Sequence, residues 1–265
     1  MLSEILTFIF FVLIGLEIRE GLQRPKDAIL PALSALGGMI LPALIFILLV
    51  PGSRAWAVAM PTDVALPIGA LSILGKRVNP AVRLFLLTLA VADDFFSLVV
   101  IGVFFRDDLH LASAIYTLGA AAIGFILPSR HRLIAILSPI ATFVIIPIYI
   151  FINLLTQLDF SVASERISTS VVIARVVGKV CGITLFTYLA IRFTRLVLPT
   201  SLKLREVVGI GFLAGMGLTV SIVIAEITLH TKAELSQVRM GLFFAALISG
   251  ALGVAWLKRL PASSR

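Results

Sequence analysis

Apolar stretches of about twenty residues follow one another from end to end of this chain, separated by short runs where charged residues, proline and glycine collect. A helix of that length crosses a hydrocarbon core of about 30 Å, so the pattern predicts a bundle of transmembrane helices. Nine spans can be drawn, over roughly 2–18, 28–50, 55–74, 81–105, 110–127, 133–155, 167–190, 207–229 and 239–257. The fold class that follows is all-α, a polytopic membrane helix bundle. The first stretch, "MLSEILTFIFFVLIGLEIREGLQ", superficially resembles a signal peptide, but Glu4 precedes its apolar run, no basic segment leads it, and Arg19 follows it. It reads as a retained first helix.

Spans two to four and spans seven to nine form two triplets that begin on opposite sides of the membrane, the arrangement of an inverted repeat. The middle member of each carries helix breakers: "MPTDVALPIG" has Pro61 and Pro67, and "GIGFLAGMGLTVS" has Gly209, Gly211, Gly215 and Gly217. Paired interrupted segments at corresponding places in two halves point to a transporter's binding site. The expected organisation is one membrane domain over 1–265. Its core triplets cover about 28–105 and 167–257, with additional helices over about 2–18 and 110–155.

Composition agrees with the pattern: 60% of the 265 residues are hydrophobic and only 14% are charged. Both figures lie far from the balance of a soluble domain. The formal net charge of +8 does not mark a nucleic-acid binder, because the basic residues are scattered through short loops rather than gathered on one face. They report topology instead. Fifteen of the 22 Lys and Arg fall in loops on one side and five on the other, with Arg175 and Lys179 inside a span. By the positive-inside rule the N-terminus is outside and the C-terminus cytoplasmic. The single cysteine, Cys181, lies in an apolar run and is expected as a small core residue, with no disulfide framework or metal spacing.

Charge at mid-depth is the chemistry to explain. In "LAVADDFFSLVV", Asp93 and Asp94 stand at the centre of span four, Asp63 near the centre of span three, and Lys179 near that of span seven. An ionisable side chain there costs at least about 2.5–3.5 kcal/mol on insertion scales, and such residues mark ion or proton pathways. A structural salt bridge would use one acid for Lys179 and leave two unexplained. Neighbouring helical residues point about 100° apart, so Asp93 and Asp94 can divide roles, one facing a cavity and the other Lys179. Coupled acids of this kind take up and release protons as a set. Na⁺ prefers oxygen ligands and would compete for the same carboxylates, with Thr62 offering a hydroxyl or carbonyl. One site exposed alternately to each side is then sufficient for cation/proton exchange. Asp63 has two readings beside a helix break: neutralising a positive half-helix end or coordinating the ion directly.

The segment "PTDVALPIGALSILGKRVNPAVRLFLLTLAVADD" resembles the central part of the NhaA-type Na⁺/H⁺ antiporters, with their Thr-Asp pair in a broken helix and Asp-Asp pair in the next. The likeness continues in "FVLIGLEIRE", "GGMILPAL", "GKVCGITLF" and "GIGFLAGMGLTVSIVIA". It implies that Asp93 and Asp94 form the cation/proton site and bind Na⁺ transiently. It further implies that Lys179 pairs with Asp93, and that Thr62 and Asp63 belong to the crossing of two broken helices. Na⁺ or Li⁺ and protons are then the partners, together with membrane lipid, with no cofactor, in a bacterial plasma or inner membrane. Family members usually have twelve helices. Against that pattern this chain is expected to lack three helices, the first and two between "FFRDDLHLAS" and "GAAAIGFILPS", which would reduce the panel and dimerisation region while leaving a homodimer possible. Ser138 replaces a histidine of the family's pH-sensing region.

Arg175 stands one turn before Lys179, where the family pattern is apolar. It is expected to snorkel outward, with pairing to an aspartate as the alternative. Glu226 is expected at interfacial water, Glu17 as a solvated helix-end charge or an acid near the ion entrance, and Asn153 in an interhelical hydrogen bond. His110, His131 and His230 show no metal spacing. No phosphate-binding glycine motif or catalytic triad occurs, so the chain is not read as an enzyme. The residues thus predict a Na⁺/H⁺ exchanger. The alternatives are a shortened, non-transporting homologue with a structural or partner-binding role, and an ion-coupled solute symporter on the same core.

Overall fold

Capping side chains and prolines start the long helices. The computed structural model describes residues 25–63, 65–105, 144–199 and 202–260, together with 8–9, 11–13, 15–16, 19, 119–120, 122–126 and 140. Helix α1 (Pro25–Leu49) opens on proline, whose missing N–H is no loss in a first turn. A short 3₁₀ helix (Arg54–Ala59), extended residues 61–63 and helix α2 (Ala65–Leu74) then replace the single helix expected over 55–74. Pro61 has no N–H to continue the first piece. In α3 (Pro80–Phe104) the Asn79 side chain accepts from Ala81 N at 2.9 Å and Pro80 occupies the first turn.

Helix α4 (Ile146–Asn153) is followed by one long rod in three parts: α5 (Arg166–Ile173), a π-helical turn (Ala174–Gly178) and α6 (Lys179–Phe193). Helices α7 (Leu204–Ala214) and α8 (Thr219–Thr228) are bent by 49° at the break between them. The last helix, α9 (Lys232–Arg259), starts seven residues before the expected span because Thr231 caps it: Thr231 Oγ1 accepts from Glu234 N at 3.3 Å.

Among the described residues there is no strand. Four helices among the described residues are long and apolar enough to cross a membrane (Ala28–Leu49, Pro80–Phe104, Arg166–Phe193 and Lys232–Arg259), or five if the bent α7–α8 pair is one span. The gap to nine has physical reasons. The third expected span is broken into pieces too short to cross alone, and spans one, five and the start of six lie largely outside the described residues, as do Glu17, Ser138, His110 and His131. The polarity of the bundle suits lipid. Leu48, Ile73 and Phe193 are about four-fifths exposed, while Arg175, Lys179 and Asp93 have no exposed surface. Cys181, expected in the core, is exposed. Asn153 donates to Tyr149 O of its own helix at 3.1 Å rather than to a neighbouring one.

Side chains near helix ends bond to the backbone of neighbouring helix ends. Arg166 Nε donates to Leu49 O at 2.9 Å, Trp256 Nε1 to Arg205 O at 2.8 Å, and Arg19 Nη1 to Ile126 O at 2.9 Å. The largest helix–helix contact is between α1 and α6, whose backbones meet at glycine: a Cβ on Gly182 would lie 2.1 Å from Gly37 O, and one on Gly37 would lie 2.3 Å from Gly182 O. Small residues permit this approach in membranes. Gly182→Leu should force α6 off α1 and cost at least about 1–3 kcal/mol as overpacking. Thermal melting of detergent-purified protein should show a clear fall in Tm, and an unchanged Tm would contradict the packing described.

Candidate functional site

The site is assembled where the two interrupted segments meet the middle of α3 and the π turn. Asp93 and Asp94 stand near the centre of α3, and both are buried. Lys179 begins α6 directly after the π turn, a local widening of the helix often found at functional sites. Its ammonium donates to Asp93 Oδ2 at 3.2 Å, to Thr62 Oγ1 at 2.6 Å and to Met60 O. All three of its N–H groups therefore have partners, two of them on the first interrupted segment. Asp93 has its other oxygen, Oδ1, buried without a hydrogen bond, and the Ser97 hydroxyl one turn further along α3 is in the same condition. A mid-helix serine ordinarily donates to the carbonyl four residues earlier. Ser97 does not, which leaves a hydroxyl and a carboxylate oxygen available on neighbouring turns.

Asp63 is placed differently from the pair. Its Oδ2 accepts from Leu218 N and from Thr219 N at 2.8 Å, and Oδ1 accepts from the Thr219 hydroxyl. The carboxylate from the first interrupted segment thus caps the N-terminus of α8 in the second, where unsatisfied amides and the helix dipole carry positive charge. Of the two readings open for Asp63, neutralising a half-helix end is the one this geometry fits. Among the described residues no three His, Cys, Asp or Glu side chains gather as a metal cluster.

Arg175 corrects an expectation. It does not snorkel and does not hydrogen-bond an aspartate. Its side chain is fully buried, donating from Nη1 to Val58 O (2.8 Å) and Ser221 Oγ (2.7 Å), from Nη2 to Pro61 O (2.8 Å), and from Nε to Gly215 O (3.2 Å). Broken helix ends expose carbonyls that a guanidinium fork can gather, and those carbonyls are invisible until the break is located in space. The available signal was its spacing of four from Lys179 on one helix. Ser97, four residues after Asp93, was legible in the same way and was missed. Glu226, at the far end of α8, pairs with Arg239 of α9 at 3.3 Å.

The sequence model of the family described as Na⁺/H⁺ antiporter 1 matches residues 1–132 and 128–257, nearly the whole chain. The chain belongs to this family. Relatives of the Na⁺/H⁺ antiporter 1 family include the Na(+)/H(+) antiporter NhaA 2 of Aliarcobacter butzleri, 29% identical, with 95% of this chain matched to 80% of the relative. The Na(+)/H(+) antiporter NhaA of Salmonella arizonae is 28% identical, with 97% of this chain matched to 82% of the relative. That of Citrobacter koseri is 27% identical over the same shares. The first match runs over 318 residues, more than this chain possesses. The relative therefore carries internal residues that have no counterpart in this family member.

Asp63→Leu should leave two amides and a hydroxyl at the start of α8 without their acceptor, at about 1–3 kcal/mol for a buried group so stranded. Asp63→Asn, which keeps an acceptor oxygen, should cost less. The check is Tm in detergent. Equal stability of Asp63→Leu and the parent chain would contradict the capping role.

Proposed function

We propose that this chain is a secondary transporter that exchanges Na⁺ or Li⁺ for H⁺ across the cell membrane at a site shared by Asp93 and Asp94. The observation that carries the reading is Asp93 itself: fully buried in the middle of an apolar helix, one oxygen on Lys179 and the other without a hydrogen bond, one helical turn before Ser97. A carboxylate oxygen in that position can accept a proton or coordinate a hard cation, but not both at once. Asp94 is its partner on the next position of α3, and Ser97 adds a neutral oxygen. Lys179 balances the charge of the pair when no cation is bound. Thr62 orients Lys179, and Asp63 holds the start of α8.

Exchange needs a site that opens alternately to each side. The organisation supporting this is a nine-span single domain over 1–265 with an inverted repeat, N-terminus outside and C-terminus cytoplasmic. Its core triplets cover about 28–105 and 167–257, with a reduced panel over about 2–18 and 110–155. The same-side contacts of Arg166 with Leu49 and of Trp256 with Arg205 support that alternation, as do the two interrupted segments. The extra internal residues of the relative are consistent with a shortened panel, and a homodimer remains part of the proposal.

Everted membrane vesicles test the reading. With an imposed pH gradient, added Na⁺ or Li⁺ should collapse the gradient, and Asp94→Asn should abolish this. No dissipation at any pH from about 6 to 9 would reject the exchanger. Dissipation unaffected by Asp94→Asn would reject the site and keep the activity. Competition has a further signature: where one proton holds the site, the apparent KM for Na⁺ should rise about tenfold for each unit by which pH is lowered. Ser97→Ala should raise that KM by about three- to tenfold, the loss of one oxygen ligand, with little change in the maximal rate.

A further inference from the structure

Arg175 has the largest fully buried side chain among the described residues, and nothing in the exchange at Asp93 and Asp94 uses it. Its four hydrogen bonds are distributed with a pattern. Val58 O and Pro61 O belong to the first interrupted segment; Gly215 O and Ser221 Oγ belong to the second. The space it occupies is kept open by Gly217, where a Cβ would lie 2.6 Å from Nη2. The side chain therefore spans the crossing point and bonds to both chains that cross there. The carboxylates nearby have other partners: Asp63 is engaged by α8 and Asp93 by Lys179. The guanidinium is matched instead with the carbonyl ends of broken helices, which carry partial negative charge.

Two cations thus serve one crossing, and they differ in kind. Lys179 divides its three N–H groups between the crossing (Met60 O and Thr62) and the acid (Asp93). Arg175 is committed to the crossing alone. If Lys179 were the only cation there, each change at Asp93 would disturb the balance of the broken ends. With Arg175 on Val58, Pro61 and Gly215, those ends stay neutralised whatever Lys179 does. A guanidinium also keeps its charge where an ammonium readily loses it.

We propose that Arg175 is a positioning residue of the exchange: its guanidinium ties the two interrupted segments together and supplies a fixed positive charge at their crossing, leaving Lys179 and the aspartate pair as the groups that change partners. The proposal rests on the exchange reading above. The charged groups around it are Asp63 from the first interrupted segment, Asp93 and Asp94 from α3, and Lys179 from α6. A fixed positive charge among them also opposes the entry of a cation, so it weakens binding of Na⁺ and speeds its release.

The test uses the full chain reconstituted in proteoliposomes with an internal pH dye and external Na⁺. An inactive parent chain would count against the exchange reading itself, and Arg175 would then be judged by folding: the proposal requires Arg175→Met to lower Tm more than Arg175→Lys does. With an active parent, Arg175→Met should lower the maximal rate by about tenfold or more and lower the apparent KM for Na⁺ by about threefold or more, because the opposing charge is gone. Arg175→Lys keeps the charge but not the fork; it should restore the parent KM to within about twofold while recovering only part of the rate. A purely structural arginine predicts a lower rate with KM unmoved in both variants, and that result overturns the proposal. Should Arg175→Met not fold, Ser221→Ala carries the test: it removes one guanidinium partner and should lower the maximal rate by about threefold. A parent-like rate in Ser221→Ala then overturns the proposal.

Discussion

Everything in this molecule depends on how backbone ends exposed inside a membrane are satisfied. Two spans break where they cross, the first at Pro61–Asp63 and the second at Gly215–Leu218. Each break leaves carbonyls or amides where no water can hydrogen-bond them, and irregular backbone at that depth survives only inside protein. Three charged side chains meet the demand. Asp63 takes the amides at the start of α8, Arg175 takes carbonyls of both segments, and Lys179 takes Met60 O. Breaking a helix in a membrane is therefore what brings the charge to this depth. Once there, it can be used.

Lys179 connects that scaffold to the chemistry. Its ammonium donates to the first interrupted segment, at the Met60 carbonyl and the Thr62 hydroxyl, and to Asp93. Under the proposed exchange, a cation arriving at Asp93 would compete with the ammonium for the carboxylate, and the ammonium's remaining bonds run to the first interrupted segment. Under the proposed exchange, occupancy of the site and the position of that segment are thus linked through one residue. The α1–α6 glycine contact fixes the helix that carries Lys179 against its neighbour, so this link is made from a firm base.

Much of this was legible in the sequence, and the limits are informative. Hydropathy placed α1, α3, α5–α6 and α9, because a lipid-facing helix has to be apolar over its whole length, and depth counting placed Asp93, Asp94 and Lys179 at one level. Proline and glycine in "MPTDVALPIG" and "GIGFLAGMGLTVS" marked the breaks. What was not legible depends on partners distant in sequence. Arg175 looked like a snorkelling residue because the carbonyls that bind it, at Val58, Pro61 and Gly215, exist as acceptors only after both breaks are folded against each other. The partners of Asp63, the amides of Leu218 and Thr219, lie in the other half of the chain and leave no mark in the sequence around it. The early start of α9 is readable in the N-cap threonine of "TKAE", which hydropathy alone passes over because its first two turns are largely polar.

The central claim is that one set of buried carboxylates holds either protons or a cation. Calorimetric titration of the detergent-purified chain with Na⁺, repeated in buffers of different ionisation enthalpy, counts the protons released for each ion bound. The account predicts net proton release on Na⁺ binding, absent when Asp93 and Asp94 are both replaced by Asn. Na⁺ binding with no proton release, or release that survives the double replacement, would contradict it.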